Sequence, residues 1–180
     1  KTTLMNILGA LDKPTSGDVL LRDKSIVNIS EAKRDKIRRN EIGFVFQSVA
    51  LISNMSAYEN VEFGLRVAGV SGSERRERAE ECLRLVGLGK RMTHRPHELS
   101  GGEQQRVAIA RAIAHKPTVI FADEPTAELD TLMGLQVLSL FRTLTEDKKL
   151  TIVMTTHDPN MMELADHVYT LEDGEIIDER

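Results

Sequence analysis

The stretch LSGGEQQRVAIARA, at residues 99–112, combines residue types that could bind a phosphate group. Ser100 is a good helix N-cap and Glu103 completes a capping-box pattern, so a helix is predicted to begin at Gly101. Because glycine weakens a first helical turn, we interpret Gly101 and Gly102 as clearance for a ligand close to the backbone. The free N–H groups and the dipole of such a helix end attract an anion. An ordinary structural helix start with incidental glycines is the alternative.

A second stretch ends in two adjacent carboxylates. Pro117 ends the helical pattern, and residues 118–122 form an apolar, β-rich run, which is typical of a strand buried on both faces of a parallel sheet. Asp123 and Glu124 follow this run directly. Ligands of open α/β sheets bind beyond the carboxyl ends of the strands, so one carboxylate could hold magnesium while the other orients water. These residues predict nucleotide chemistry.

Together the two stretches resemble the signature motif and the Walker B strand of ATP-binding cassette (ABC) ATPases, with Glu124 in the place of the catalytic glutamate. The resemblance implies an α/β fold of the P-loop NTPase type, in which a mainly parallel sheet core carries a helical subdomain and antiparallel β elements. It implies one ABC ATPase domain over residues 1–180, with the helical subdomain at residues 57–100. It also implies ATP and Mg²⁺ as cofactors.

Family geometry implies that the signature motif faces ATP held by another subunit. A head-to-tail homodimer, or a pair with a second ABC ATPase subunit, is therefore expected. The residues that the resemblance assigns to the nucleotide from this motif are Ser100, Gly101, Gly102 and Gln104.

The chain opens on Lys1, Thr2 and Thr3, followed by apolar residues at helical spacing. This opening resembles the end of a P-loop, in which the lysine reaches the β and γ phosphates and the threonine hydroxyl binds magnesium. The glycine-rich half, the strand that feeds it and the family's adenine-stacking aromatic residue are missing from the sequence. We therefore expect the chain as written to bind ATP poorly, and a fragment without nucleotide activity is an open alternative.

Short apolar runs end at Gln47 and His157, as well as at Asp123 and Glu124. If these strands run parallel, their polar residues meet at one edge of the sheet, where they would form a phosphate site. By resemblance, Gln47 is the Q-loop glutamine that touches magnesium and the γ-phosphate side of the site. His157 matches the switch histidine that contacts the γ-phosphate, and Asp130 matches the D-loop aspartate that connects opposing sites.

One residue departs from the family pattern near the expected dimer junction. Glu128 stands where the family usually has a small or amide residue, so it adds negative charge there. Whether this change alters turnover is left open by the sequence.

Four other segments carry structural predictions. Ser30 is expected to cap a charged helix through Arg39 whose basic residues face solvent, and Ser71 and Glu74 form a second capping-box pattern. Residues 48–60 resemble the flexible segment through which the family senses a membrane partner. Residues 168–177 predict a hairpin around Asp173 and Gly174 that extends the sheet or packs at its edge.

The composition bounds the remaining function classes. The chain has 180 residues, 41% of them hydrophobic, which suits one globular domain with a core. A formal net charge of −4 gives no support to nucleic-acid binding, and the single Cys82 fits a reducing compartment. No apolar run approaches the roughly 20 residues of a spanning helix, so a membrane role would come through a partner.

Three phrases narrow the resemblance within the family: GALDKPTSGDV, RRNEIGFVFQ and ALISNMSAYENV. They resemble the bacterial group of lipoprotein-releasing and macrolide-exporter ATPases and a cell-division relative. This implies a cytoplasmic subunit, peripheral on the inner face of the cell membrane, that drives integral membrane transporter subunits. A regulatory module that dimerises on ATP with little hydrolysis is the main alternative. An ABC protein acting on DNA or ribosomes fits less well, because long coiled-coil insertions and tandem cassettes are absent from the sequence.

Overall fold

The computed structural model describes residues 1–148 and 150–180. Its α-helices, in chain order, are α1 (Thr2–Leu8), α2 (Glu31–Glu41), α3 (Ala57–Val67), α4 (Gly72–Leu85), α5 (Gly101–Ile113), α6 (Thr131–Lys148) and α7 (Pro159–Glu163). Its strands are β1 (Leu20–Leu21), β2 (Lys24–Ser25), β3 (Ile42–Val45), β4 (Val119–Asp123), β5 (Thr151–Thr155), β6 (Tyr169–Glu172) and β7 (Glu175–Glu179). A 3₁₀ helix at Pro96–Glu98 precedes α5.

The centre of the fold is a parallel sheet in the order β3-β4-β5. In the middle strand β4, Ile120 lies opposite Gly43 of β3 and Ile152 of β5. The first four residues of β4 are buried, because helices cover both faces of the sheet. The parallel core predicted from the sequence is thereby confirmed, and the chain has an α/β fold.

Two apolar clusters lie on opposite sides of this sheet. The larger cluster joins α3, α4, α5 and α6 to one face and includes Leu65, Leu83, Ile109 and Phe141. The smaller cluster lies on the other side, next to α1 and α2, and includes Met5, Ile42 and Phe121. Helix α1 is therefore seated on the sheet by its own buried residue, Met5, immediately downstream of Thr2.

The capping boxes at the helix N-termini agree only in part with those predicted from the sequence. Ser100 and Glu103 form the predicted capping box at the start of α5, and Ser56 begins α3 with a capping box that the analysis of the sequence missed. The Ser71 and Glu74 prediction is wrong. Ser71 is the N-cap of α4, but within the described structure its side chain makes no capping hydrogen bond. The carboxylate of Glu74 instead binds Arg78 one turn later, at 2.5 Å.

The C-terminal hairpin forms as predicted, with Asp173 and Gly174 in left-handed backbone conformations between β6 and β7. It makes a two-stranded antiparallel sheet of its own, so it does not extend the parallel sheet, and the alternative that it packs at the edge of that sheet stays a prediction. None of the helices in the described part of the chain is long and apolar enough to cross a membrane.

Helix α2 departs from its predicted solvated face. It continues to Glu41, two residues past its expected end, and Arg34 is only 4% exposed. The periodicity of charges could not indicate this, because Arg34 is buried by contacts with a distant segment, residues 10–12.

Candidate functional site

The polar residues predicted to meet at one edge of the sheet do so. β3, β4 and β5 run parallel. Asp123 is the last residue of β4, Glu124 follows it directly, and His157 lies two residues beyond β5. Gln47 lies two residues beyond β3 and is exposed to solvent. The edge therefore presents a carboxylate pair between an amide and an imidazole, on three neighbouring strands.

Glu124 and His157 are in direct contact. Oε1 of Glu124 lies 2.8 Å from Nδ1 of His157. The Glu124 side chain is largely buried at 17% exposure, whereas the His157 side chain is 74% exposed to solvent. Glu124 has a positive φ of 47°, and its N–H donates to the Thr155 carbonyl at 3.1 Å. The tight backbone at the end of β4 thus turns the carboxylate towards the next strand.

Thr2 and Asp123 make a second polar contact. The hydroxyl Oγ1 of Thr2 donates to Oδ2 of Asp123 at 2.9 Å, and the Thr155 hydroxyl donates to Oδ1 of the same carboxylate. Nζ of Lys1 donates to the Thr156 carbonyl at 3.0 Å, just before His157. The start of α1 therefore lies against the ends of β4 and β5, although more than 100 residues separate these parts of the chain.

The chemistry of these donors fits magnesium. Thr2 Oγ1 and Asp123 Oδ2 are hard oxygen donors, the ligand type that Mg²⁺ prefers, and they lie next to each other through their hydrogen bond of 2.9 Å. Among the described residues no group of three or more His, Cys, Asp or Glu side chains could hold a metal ion. Magnesium here would therefore take its remaining ligands from phosphate, water and an amide such as that of Gln47.

The segment after Gln47 makes hydrogen bonds to two helices. Asn60 is fully buried, and its side chain bonds to the backbone of Ile52, Met55 and Ser56. Arg111 of α5 donates to the Ala50 carbonyl at 3.0 Å. Burial lowers the pKa of the Arg111 guanidinium. Residues 50–56 are therefore hydrogen-bonded to α3 and α5, and residues 57–60 belong to α3 itself, while the flexibility of residues 48–60 stays a prediction.

The signature residues lie together at the start of α5. Oγ of Ser100 accepts from the Glu103 N–H at 3.3 Å, which leaves its hydroxyl proton available to a ligand. The bond from the Ser100 backbone N–H, the largest influence, lowers the pKa of Glu103. The amide of Gln104 instead donates to the carbonyls of Pro96 and Leu99.

The two glycines of this motif have different surroundings. A Cβ at Gly102 would lie 2.9 Å from Sδ of Met133, so this glycine is required by packing of α5 against α6. A Cβ at Gly101 would meet only Leu129, at 3.9 Å, so the backbone there is open to solvent. The exposed Gly101 is thus compatible with ligand clearance, whereas the buried Gly102 has a packing reason of its own, and the assignment of both glycines to a nucleotide stays a prediction.

Asp130 lies in the loop that joins β4 to α6. Its Oδ1 accepts from the Met133 N–H at 2.9 Å and so caps α6. Asp130 also lines a largely polar cavity of about 260 Å³ together with Asp158 and Asn160 at the start of α7. Glu128, two residues earlier, is exposed.

The predicted site residues thus form two separate groups. One joins Lys1, Thr2, Asp123, Glu124 and His157. The other joins the start of α5 to Asp130 through Met133, which packs against Gly102 and whose N–H donates to Asp130. No hydrogen bond or ion pair within residues 1–148 and 150–180 joins one group to the other. Thr3 is exposed on the first turn of α1.

Analysis of the sequence missed the two threonines that hold the first group together. Thr155 bonds to Asp123 and to the Glu124 backbone, and Thr156 accepts from Lys1. The available signal was the pair of hydroxyl residues between an apolar strand and His157. Such residues at the end of a parallel strand lie where polar partners are needed.

The chain is similar to known proteins that are described as ATP-binding proteins or as ABC transporter components. The family model described as ABC transporter matches residues 1–127. An uncharacterized ABC transporter ATP-binding protein of Thermotoga maritima is 48% identical over 176 residues, which are 98% of this chain and 75% of that protein. The macrolide export ATP-binding/permease protein MacB of Syntrophobacter fumaroxidans is 46% identical over 98% of this chain, but over only 25% of that protein.

A solved structure is also similar. It is the dimeric, post-hydrolysis state of the ATP-binding cassette MJ0796, bound to ADP and Pi, from a protein of Methanocaldococcus jannaschii. The TM-score is 0.89 at 43% sequence identity, and the match covers 99% of this chain and 79% of that one.

Proposed function

Because this chain belongs to the ABC transporter family as an ATP-binding domain, we propose that it hydrolyses ATP and that it dimerises on ATP to drive a membrane subunit. The observation that carries the proposal is the adjacency of two polar pairs at one sheet edge, Thr2 with Asp123 and Glu124 with His157. Phosphoryl transfer depends mainly on positioning and charge stabilisation, which these residue types supply.

Each residue has a separate role in this proposal. Glu124 accepts a hydrogen bond from the attacking water and orients it towards the γ-phosphate. Lys1 and His157 offset the negative charge that develops on the phosphate oxygens. Thr2, Asp123 and Gln47 would hold Mg²⁺, which when bound neutralises phosphate charge and fixes the geometry of the phosphate chain.

The second half of the site would come from a partner copy. Ser100 and Gly101 share no hydrogen bond with the Glu124 group in the described residues, yet their open helix end is suited to an anion. A head-to-tail dimer would bring this end onto ATP held by the other subunit, with Asp130 near the junction. The dimeric state of the similar cassette MJ0796 supports this arrangement. Closure on ATP and opening after hydrolysis would then move the membrane subunit.

The transport class is proposed from similarity alone. The 46% identity to the macrolide export protein MacB supports a macrolide export type of system, and the phrases GALDKPTSGDV, RRNEIGFVFQ and ALISNMSAYENV keep lipoprotein release as the related candidate. Such a role places the chain on the cytoplasmic face of the cell membrane as a peripheral subunit.

The test is the rate of ATP hydrolysis by the natural full-length protein, with and without the Glu124→Gln substitution. We expect turnover to fall by at least about 10²-fold, because the general base is removed, while ATP still binds and dimers accumulate. Glu175→Gln is the matched control, since Glu175 is an exposed glutamate on the C-terminal hairpin, outside the residues assigned to the site. Undiminished turnover in Glu124→Gln would remove Glu124 from this role. ATP-dependent association of the unsubstituted protein without turnover would favour the regulatory alternative.

A further inference from the structure

Two arginines of α2 bind the carbonyl groups that follow the C-terminal end of α1. Nη2 of Arg34 donates to the Ala10 carbonyl at 2.9 Å and to the Asp12 carbonyl at 2.7 Å. Nη1 of Arg38 donates to the same Ala10 carbonyl at 2.8 Å. Three charge-assisted hydrogen bonds therefore converge on the short segment 10–12.

Glu31 joins the two arginines to each other. Its Oε2 accepts from Arg34 at 3.0 Å, and its Oε1 accepts from Arg38 at 2.8 Å. The hydrogen bond from Arg38 is the largest of the influences that lower the pKa of Glu31. Ala10, Arg34, Glu31 and Arg38 thus form a closed ring of hydrogen bonds, which we call the α1 clamp.

Burying Arg34 has a cost that surface ion pairs do not carry. Its side chain is 5% exposed, and its buried Nε has no hydrogen-bond partner among the described residues. A guanidinium removed from water is unfavourable unless its partners compensate for the lost hydration. The carbonyls of Ala10 and Asp12, in the loop that follows α1, supply this compensation through charge-assisted hydrogen bonds. Such an arrangement holds the loop after α1 in one conformation, with Ala10 at a φ of 59°.

The clamp and the proposed phosphate site lie at opposite ends of the same short helix. α1 has seven residues, so it is about 10 Å long. Lys1 and Thr2 are at its N-terminal end, where they bond to Thr156 and Asp123. Gly9 fixes the other end against the sheet, since a Cβ there would lie 2.5 Å from the Phe44 ring. A change in the tilt of α1 would therefore move the Thr2 hydroxyl relative to Asp123.

We propose that Arg34, Arg38 and Glu31 are positioning residues, which hold α1 by its C-terminal end and thereby keep Lys1 and Thr2 in place for the phosphates of ATP. The inference rests on the proposed function, because it assigns a consequence for nucleotide binding to residues that do not touch the site. It predicts that loss of the clamp weakens the binding of MgATP more than it slows the hydrolysis of bound ATP.

The experiment compares Arg34→Met and Arg38→Met with the unsubstituted natural full-length protein. Methionine keeps the apolar stem of the side chain and removes the donors, so the packing of α2 is largely preserved. Arg39→Met is the matched control, because Arg39 lies on the same helix and binds Asp35. Arg38→Lys tests rescue, since an ammonium group can still donate to one carbonyl but cannot bridge to Glu31 as a fork.

Three quantities are measured for each variant: the Kd of MgATP, kcat at saturating MgATP, and the hydrogen exchange of the backbone amides of residues 5–12. We expect Kd to rise about three- to tenfold in both methionine variants. Without the charged hydrogen bonds to the loop after α1, part of the free energy of nucleotide binding is spent on ordering α1. Exchange in residues 5–12 should quicken, kcat should change less than about twofold, and Arg38→Lys should fall between Arg38→Met and the unsubstituted protein.

The outcomes separate the inference from the function on which it rests. A lower unfolding midpoint with unchanged Kd in the methionine variants would overturn the inference, because the clamp would then serve stability alone. An equal rise of Kd in Arg39→Met would also overturn it. Failure of the unsubstituted protein to bind MgATP would overturn the proposed function, and with it the assigned effect on affinity. In that case the exchange of residues 5–12 would still decide whether the arginines hold α1.

Discussion

Oε1 of Glu124 lies 2.8 Å from Nδ1 of His157, although the two residues are 33 positions apart in the chain. The contact fixes how the imidazole is used. The carboxylate can only accept, so Nδ1–H donates a hydrogen bond to it. In the neutral ring Nε2 is then an acceptor, and when the ring is protonated Nε2 is a second donor. Glu124 can still accept a hydrogen bond from an attacking water, because each carboxylate oxygen has two lone pairs. The pair therefore couples the base to the residue that would contact the γ-phosphate.

Loss of His157 should impair turnover more than nucleotide binding. In His157→Ala the Glu124 carboxylate loses its oriented partner, and we expect the rate of ATP hydrolysis to fall by about 10²-fold or more. The Kd of MgATP should change much less. His167→Ala is the control, because His167 is an exposed histidine outside the site. A rate that survives in His157→Ala would show that the contact is structural.

Removal of magnesium should abolish hydrolysis reversibly. A chelator such as EDTA withdraws the ion that we expect Thr2 and Asp123 to hold, and added Mg²⁺ should restore the rate. Asp123→Asn removes the charge and should raise the Mg²⁺ concentration needed for half-maximal rate by about tenfold or more, since Mg²⁺ is bound mainly through carboxylates. Asp23→Asn, in the exposed turn between β1 and β2, should leave that concentration unchanged. An equal shift in both variants would contradict the assignment.

Gly43 should tolerate no side chain, because α5 lies directly over β3. A Cβ there would be 2.5 Å from the Ala112 carbonyl oxygen and 3.1 Å from Ile120. Gly43→Ala is therefore expected to lower the free energy of unfolding by about 1–3 kcal/mol, as measured by urea denaturation. Gly72→Ala is the comparison. Its Cβ would meet only the end of the Arg75 side chain at 3.8 Å, so the helix should be unchanged or more stable by up to about 1 kcal/mol.

His115 should make stability depend on pH below neutrality. Burial is the largest influence on the pKa of His115 and lowers it below the ordinary value of 6.5. The hydrogen bond to the Ile42 carbonyl raises the pKa, and the nearby charge of Arg78 lowers it further. The unfolded chain therefore takes up a proton near pH 6.5 while the folded chain does not, and stability falls as the pH drops from 6.5 through the folded pKa. In His115→Gln the amide can still donate to the Ile42 carbonyl. The urea concentration at the unfolding midpoint should then change less between pH 7 and pH 5 than in the unsubstituted protein. An unchanged pH dependence would contradict this prediction.

The sequence predicted the elements whose signals are local. Ser100 and Glu103 are three residues apart, so their capping box could be recognised from spacing alone. The apolar run that precedes Asp123 identified β4 as a buried parallel strand, and Asp173 with Gly174 identified the hairpin turn. The Ser71 and Glu74 prediction failed through a local competitor, Arg78, whereas two other outcomes depended on distant partners. Met133 of α6 explains Gly102, and the loop after α1 explains the burial of Arg34.

By itself the sequence determined the kind of chemistry and which strand ends would carry it, because hydroxyl, carboxylate and imidazole groups reveal their use through residue type and position after apolar runs. Only the tertiary structure decided which of these groups touch. Parallel pairing of β3, β4 and β5 set Glu124 beside His157, and the seating of α1 brought Thr2 to Asp123. Such contacts follow from sheet register and helix packing across more than 30 residues, and no local pattern encodes them.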